Sequence, residues 1–392
     1  MDPLTHTLFG GVLAETGLKH RLKDHSTWAM ATLMIGANLP DIDVVSYFWG
    51  SDVALGFRRG WTHGVLALLV LPVLLTWLVL AAQRWRSRRG ASKRAGPPID
   101  ARQLLLLSTI AVWSHPLLDW LNTYGVRVLM PFSGEWFYGD ALFIIDPWVW
   151  LALGGPLFLV HSASRRALAA WGAVAALLTT VMMAGAGPHS WARSVWLAAL
   201  VSLIAIRFRV GHFSAARARL VASLALLLTV LYAGGMATLT AWTTAQVEAQ
   251  VLAGALGDDV ELDGPLMVGP DRIDSLRRLV VAPVADGYHF GSYHPLRQPA
   301  LVFDLQRSRL VAPGVAPAAA REMVDQAHQA PCVHGLVNWL RYPFYEVDAA
   351  DDGSPTTVYL LDARYTRGRT RGFGGGVVTL SPEGASCDAS PP

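Results

Sequence analysis

Charged side chains are scarce in this chain of 392 residues, where Asp, Glu, Lys and Arg together make up 16% of the sequence. An ordinary soluble domain carries about 25% charged residues, so the composition argues against a wholly soluble protein. Hydrophobic residues reach 53% and are gathered in long runs. The net charge of +3 is small and arises in basic loops between these runs, so we expect no nucleic-acid partner.

Several familiar signatures are missing from the sequence. Residues 1–18 have no basic n-region and contain His6 and Glu15, so they do not predict a signal peptide. No internal repeat is evident, and the glycine-rich stretch 364–376 lacks the strand-then-helix setting of a phosphate-binding loop. The only cysteines are Cys332 and Cys387. They form either a disulfide, if their domain is extracytoplasmic, or two separate thiols.

Long apolar runs predict a multi-pass membrane protein. Residues 65–82 contain no charge and a single hydroxyl, which is enough for a helix to cross ~30 Å of hydrocarbon. A buried soluble helix would be the alternative for one such run, but the chain has several. Two weaker apolar segments, 3–18 and 27–39, come first. The predicted spans are 65–82, 103–118, 148–160, 167–185, 191–206 and 220–242, of which 148–160 is short.

Lys and Arg are frequent in four loops and rare in the loops that alternate with them. The frequent set comprises residues 19–25, 83–102, 165–166 and 207–219, and the rare set comprises 41–62, 119–146 and 186–193. The positive-inside rule places the first set in the cytoplasm and the second set outside. The N-terminus and everything after residue 242 are then predicted to lie outside.

The composition changes after residue 242 from apolar runs to short strand-like segments separated by turn residues. We therefore predict a mainly α fold, in which a multi-pass transmembrane helical bundle over residues 1–243 precedes a small α+β extracytoplasmic domain over residues 244–392. The last dozen residues are rich in Ser, Pro and Gly and are predicted to be disordered. The strand candidates are 279–281, 300–303, 357–361 and 377–380, and the helix candidate is 318–329.

Ionisable residues inside or beside membrane segments are functional candidates, because burying charge in lipid is costly. Seven such residues fall at segment ends that the predicted topology brings to the outer side. They are His6, Asp41, Asp43, His63, His115, Asp119 and Asp146. His115 and Asp119 are four residues apart, which places both side chains on one face of a helix. We interpret the shared location as one site.

Imidazole and carboxylate ligands together favour zinc, with manganese or iron as alternatives. Three His and four Asp exceed one tetrahedral site, so the sequence predicts one or two metal ions. The assigned metal ligands are His6, Asp41, His63, His115 and Asp119. Asp43 and Asp146 are assigned as catalytic groups that act as ligand, base or orienting group. Each residue also has a structural alternative, and Asp146, followed by Pro147, is equally well explained as a helix N-cap.

Five short motifs occur in order along residues 1–150. They are Thr-His-x-x-x-Gly at 5–10, Leu-Pro-Asp-x-Asp at 39–43, Arg-Gly-x-Thr-His at 59–63, Ser-His-Pro-Leu-Leu-Asp-Trp at 114–120 and Ile-Asp-Pro at 145–147. Together they resemble the YdjM-type family of membrane-bound metal-dependent hydrolases. The resemblance implies a bacterial inner-membrane protein, a hydrolase activity and a functional role for the seven residues named above.

Two further points qualify this resemblance. Gly64 departs from the family pattern, in which a serine commonly follows the histidine. The order His, Asp, His, His-x-x-x-Asp is also distantly similar to zinc-dependent phospholipase C, whose further His and Glu ligands have no clear counterpart here. The departure at Gly64 leaves the ligands intact and affects only the local helix cap.

The leading hypothesis is a membrane-bound metal-dependent hydrolase that acts at the outer face on a phosphoester or related bond of a lipid or envelope molecule. Membrane lipids are then the expected partners. An ion or proton transporter using the same His and Asp residues is the alternative, although transporters commonly have repeated halves and a site near the bilayer midplane. A third hypothesis makes the membrane part an anchor and the C-terminal domain a binding module.

Overall fold

The chain forms two compact units. The computed structural model describes residues 1–88, 98–185, 190–211, 213–257, 260–312, 314–348, 356–369, 373–381 and 384–387. The first unit comprises Met1–Ile42, Trp61–Thr238 and Asp271–Ser275, and the second comprises Asp43–Gly60, Leu239–Pro270 and Leu276–Pro392. Residues 43–60, which the sequence analysis assigns to the N-terminal domain, therefore cluster with the second unit.

Helices make up most of the first unit. Short 3₁₀ segments at Leu18–His25 and Leu39–Trp49 follow the first two helices. Across the described residues the helices are α1 (Pro3–Glu15), α2 (Ser26–Gly36), α3 (Ser51–Phe57), α4 (Val65–Arg88), α5 (Ala101–Trp120), α6 (Pro147–His161), α7 (Arg165–Gly185), α8 (Ser190–Val210), α9 (Ala215–Gln250), α10 (Pro317–His328) and α11 (His334–Trp339).

Four helices in the described part of the chain are long and apolar enough to cross a membrane. They are Val65–Arg88, Arg165–Ala184, Trp191–Val210 and Ala215–Ala255. They bear out four of the six predicted spans as helices of sufficient length and apolarity. The other two runs also form helices and stay predictions as spans: α6 is apolar and 15 residues long, and the 20 residues of α5 include Gln103, His115 and Asp119.

The short helices of the first unit pack against two longer ones. Leu33 of α2 is fully buried with Leu104 and Leu107 of α5. Leu8 of α1 is buried in the same cluster as Leu153 of α6. This packing brings the N-terminal part of α1 and the C-terminal part of α5 together.

The described part of the second unit contains two β-sheets. The strands are β1 (Met267–Pro270), β2 (Arg278–Val284), β3 (Gly287–His294), β4 (Gln298–Ser308), β5 (Leu310–Val311), β6 (Pro343–Asp348), β7 (Thr356–Asp362), β8 (Gly375–Ser381) and β9 (Gly384–Cys387). The first four strands form one antiparallel sheet, and the last five form another in which only β5 and β6 are parallel. The predicted strands correspond to β2, β4, β7 and β8, and the predicted helix is α10.

Aromatic and aliphatic side chains fill the core of the second unit. Phe290 of one sheet and Phe344 and Leu361 of the other are fully buried in one cluster. A disulfide joins Cys332, just before α11, to Cys387 in β9. Of the two alternatives for the cysteines, the structure therefore contains the disulfide. Strand β9 lies within the tail predicted to be disordered, whose residues 382–383 and 388–392 lie outside the described residues.

Candidate metal centre

Four side chains converge within the first unit. Asp41, His63, His115 and Asp119 each offer one ligand atom, and these atoms all lie within 4.8 Å of one another. The two histidines and Asp119 are fully buried, and Asp41 is partly buried. Asp41 lies in the 3₁₀ segment after α2, His63 lies just before α4, and the other two belong to the last turns of α5. This cluster could bind a metal ion.

The ligand atoms surround the carboxylate of Asp119. His63 Nε2 and His115 Nε2 lie 3.2 and 3.3 Å from Asp119 Oδ2 and 3.0 Å from each other. Asp41 Oδ1 lies 3.7 Å from His115 Nε2. Two imidazole nitrogens at this separation need a shared proton or a cation between them, because two lone pairs repel each other.

The outward-facing ring nitrogens are held by hydrogen bonds. His115 Nδ1 donates to the backbone carbonyl of Ala37 at 2.7 Å. Because a carbonyl only accepts, Nδ1 carries a proton, and in the neutral ring Nε2 is then the nitrogen with the lone pair that a metal needs. His63 Nδ1 lies 3.0 Å from the hydroxyl of Thr62. Metal-binding histidines are oriented in this way, by a hydrogen bond at the other ring nitrogen, so the donor set fits a metal ion.

His6 lies beside the four-residue cluster. Its ring stacks on that of His115, with centroids 3.8 Å apart, and its Nε2 lies 3.3 Å from Asp119 Oδ1. Its Nδ1 is buried and has no hydrogen-bond partner among the described residues. The amino group of Met1 also contacts Asp119 Oδ1. The structure thus brings His6 to the carboxylate that the other two histidines share.

Asp146 serves as the N-cap of α6. Its Oδ1 accepts from the backbone N–H groups of Trp148 and Val149 at 2.9 and 3.1 Å. Its Oδ2 accepts from the hydroxyl of Tyr232 at 3.0 Å. These contacts correspond to the capping alternative, and the catalytic assignment of Asp146 stays a prediction.

Asp43 belongs to the second unit and is 1% exposed. Its Oδ2 accepts from the backbone N–H of Arg59 at 2.9 Å, and its Oδ1 accepts from Arg58 Nε at 3.4 Å. Asp43 is not a member of the four-residue cluster found within the described residues. Its catalytic role also stays a prediction.

Sequence reasoning missed the groups that orient the two histidines. Thr62 stands in the Arg-Gly-x-Thr-His motif, and its hydroxyl next to His63 was a usable signal. The carbonyl of Ala37 carries no signal, because every residue has one. Gly64 now has a steric explanation: a Cβ there would lie 2.3 Å from the carbonyl oxygen of Met130, so the serine of the family pattern would clash.

Comparison with known proteins matches the part of the chain that carries this site to a family model. Residues 1–188 match the model described as YdjM inner membrane protein. The chain is also 26% identical over 123 residues to an uncharacterized protein, YfhP, of Bacillus subtilis (strain 168), which is 31% of this chain and 34% of that relative. The aligned part thus spans about a third of the length of this relative. No solved structure matches the chain significantly. The resemblance carried by the five motifs is confirmed: residues 1–188 of this chain match the model of the YdjM inner membrane protein family.

Proposed function

We propose that this protein is a membrane-bound metal-dependent hydrolase whose metal centre comprises Asp41, His63, His115 and Asp119. The observation that carries the proposal is the convergence of their ligand atoms within 4.8 Å. Two nitrogens and two oxygens suit tetrahedral zinc, and manganese or iron accept the same ligand types. His6, whose buried Nδ1 has no partner among the described residues, is the remaining ligand, either to the same ion or to a second one.

The protein groups around the cluster have separable roles in this proposal. A bound divalent cation would supply Lewis acidity, which activates water and stabilises the negative charge that develops on a phosphoryl group. Thr62 and the carbonyl of Ala37 orient the rings of the two ligand histidines. His6 Nε2 lies 3.3 Å from Asp119 Oδ1 and, as the protonated ring nitrogen, orients that carboxylate.

Three observations support a substrate at the outer face of the membrane. The family is one of inner membrane proteins, and four helices are long and apolar enough to span. The disulfide of the second unit favours an oxidising compartment. We therefore propose that the second unit is extracytoplasmic. The substrate would be a phosphoester or related bond of a lipid or envelope molecule.

Metal analysis combined with hydrolysis assays tests this proposal. The wild-type protein, purified without chelators, should hold about one or two divalent ions per chain and hydrolyse generic phosphodiesters or phospholipids. His115→Ala should lose both properties. His20→Ala removes an exposed histidine of the Leu18–His25 segment and should lose neither. A metal-free wild type, or a His115→Ala variant with unchanged metal content, would refute the proposal.

A further inference from the structure

A cleft opens beside the most accessible member of the metal centre. The side chain of Asp41 is 14% exposed, whereas those of the other three cluster residues are completely buried. Asp41 lines a cleft of about 570 Å³ together with Thr7 of α1 and residues of the segment 34–42. All of these residues belong to the first unit. The volume lies within the range of roughly 300–1,000 Å³ that small-molecule sites occupy, and the cleft shares a carboxylate with the proposed metal centre.

The segment 34–42 contacts the metal centre as well as the cleft. The backbone carbonyl of Ala37 accepts the hydrogen bond that orients His115. Asp41 Oδ1 lies 3.7 Å from Nε2 of the same histidine. Asn38 and Leu39, which lie between these two contacts in the chain, line the cleft. A molecule bound in the cleft would therefore contact the segment that carries one proposed ligand and orients another.

Most of the side chains that line the cleft are apolar. They include Met34, Ile35, Leu39 and Ile42. Ile35 and Ile42 are 52% and 53% exposed, so about half of each side chain remains uncovered. The same unit contains helices that are long and apolar enough to cross a membrane, so hydrocarbon is the surrounding medium that matches these side chains. The walls of the cleft therefore suit a hydrocarbon chain.

Two neutral polar groups, Asn38 and Thr7, accompany Asp41 in the cleft. Asn38 Nδ2 donates to Thr7 Oγ1 and to the backbone carbonyl of Met34, both at 2.9 Å, so its amide hydrogens are satisfied within the protein. The described residues that line the cleft include no Lys, Arg or His. A substrate held by several phosphate or carboxylate groups would need such cations. The cleft therefore favours a substrate with one phosphoester for the metal centre and an apolar remainder.

We propose that this cleft is the subsite for the hydrocarbon chain of a membrane lipid whose phosphoester lies at the metal centre. Burial of the chain against Ile35 and Ile42 contributes binding energy, and the shared carboxylate of Asp41 joins the subsite to the reacting group. Ile35 and Ile42 are then specificity-determining residues. The inference rests on the metal centre of the proposed function, and it narrows the substrate from a lipid or envelope molecule to a lipid with an alkyl or acyl chain.

Binding of a series of alkyl phosphates tests this subsite without requiring turnover. The full-length protein is placed in lipid nanodiscs and loaded with Co(II), and ethyl, butyl, hexyl and octyl phosphate are titrated while its visible absorption spectrum is recorded. The phosphate group should perturb the spectrum by binding the metal, and the chain should occupy the cleft. Burial of one methylene contributes up to about fourfold in affinity, so Kd should fall at each step of the series.

Two exposed isoleucines provide a matched pair of variants. Ile35→Ala removes part of the apolar wall and leaves the proposed metal ligands in place. Ile206→Ala makes the same change on α8, at a residue that does not line the cleft. The Kd of each variant is divided by that of the wild type at every chain length, so that partition of the alkyl chain into the nanodisc cancels. Ile35→Ala should weaken octyl phosphate by about fivefold and leave ethyl phosphate unchanged, and Ile206→Ala should weaken neither.

The outcomes distinguish the subsite from the metal centre. Absence of a Co(II) spectrum in the wild-type protein would overturn the metal centre and the subsite together. A Co(II)-loaded wild type that does not respond to octyl phosphate, or whose Kd is independent of chain length, would overturn the subsite alone. Equal Kd ratios for the two variants at octyl phosphate would also overturn it. Selective weakening of the longer alkyl phosphates in Ile35→Ala, with an unchanged Co(II) spectrum, would establish the subsite.

Discussion

Each unit of this protein buries a carboxylate completely, but the partners differ. In the second unit, Asp362 accepts from Arg364 Nη2 and Nε at 2.8 and 3.0 Å, and from the backbone N–H of Arg341 at 2.8 Å. The guanidinium of Arg364 is fully buried as well and lies over the ring of Trp339. A guanidinium is cationic at every accessible pH, so the charge of Asp362 is permanently balanced.

In the first unit, the side chains around Asp119 are imidazoles. His6, His63 and His115 place Nε2 atoms 3.2–3.3 Å from its two oxygens. A neutral imidazole presents a lone pair that can bind a metal ion. The comparison teaches that burial alone does not mark a functional carboxylate. The chemistry of the groups that surround it separates a structural ion pair from a candidate ligand set.

The largest effect should follow from the same substitution at the two carboxylates. Asp119→Asn replaces an anionic ligand with a neutral amide, so we expect complete loss of bound metal by elemental analysis. Asp362→Asn is the matched control and should keep the metal content of the wild type. If both variants retained their metal, the distinction between the two buried carboxylates would be wrong.

Truncation of the structural carboxylate should instead lower the stability of the second unit. Asp362→Ala leaves the buried guanidinium of Arg364 without its carboxylate, which typically costs about 3–5 kcal/mol in unfolding free energy. Denaturant titration followed by tryptophan fluorescence measures this loss. The double variant Asp362→Ala with Arg364→Met should recover most of it, because no buried charge then remains. A single variant as stable as wild type would contradict the structural role.

A smaller effect is expected from the group that orients His63. Thr62→Val keeps the size of the side chain but removes the hydroxyl 3.0 Å from His63 Nδ1. Loss of such an outer hydrogen bond should weaken metal binding by about tenfold, measured by chelator competition. Thr62→Ser retains the hydroxyl and should bind as wild type does. Equal weakening in both variants would point to packing rather than to the hydrogen bond.

The smallest effect concerns an imidazole outside the metal centre. Burial lowers the pKa of His328 in the second unit, where its ring contacts Tyr345. Because the unfolded chain, with a His pKa of about 6.5, then binds a proton more readily, stability should fall as the pH drops below that value. Thermal unfolding between neutral and mildly acidic pH measures the slope. His328→Phe keeps an aromatic ring but cannot bind a proton, so it should reduce the dependence of stability on pH. An unchanged pH dependence would exclude His328 as its source.

Much of the architecture was predictable because hydropathy and alternation are local properties of the sequence. Four of the predicted spans, and four of the nine strands described in the second unit, follow from run length and period. The span predicted at 103–118 stays a prediction, because the leucine-rich start of α5 is followed by polar residues near its end. The apolar run at 148–160 forms the 15-residue helix α6, which is shorter than the roughly 20 residues that usually cross a membrane.

The candidate site was predictable to a similar degree, and for a similar reason. The spacing of His115 and Asp119 placed both on one helical face, and their Nε2 and Oδ2 atoms lie 3.3 Å apart. The hydrogen bond from His115 to the Ala37 carbonyl could not be predicted, since every residue has a backbone carbonyl. The assignment of residues 43–60 to the second unit could not be predicted either. It depends on contacts such as the hydrogen bond from the backbone N–H of Leu336 to Asp52, which joins residues 284 positions apart.

That separation has a consequence for the timing of assembly. Residues 43–60 emerge early in synthesis, but their partner helix α11 follows 284 residues later. At a translation rate of roughly 5–20 residues per second, about 14–57 s separate the two. During this interval Asp52 lacks the backbone group that it contacts in the folded second unit. Packing of the second unit would then be one of the last steps of biogenesis.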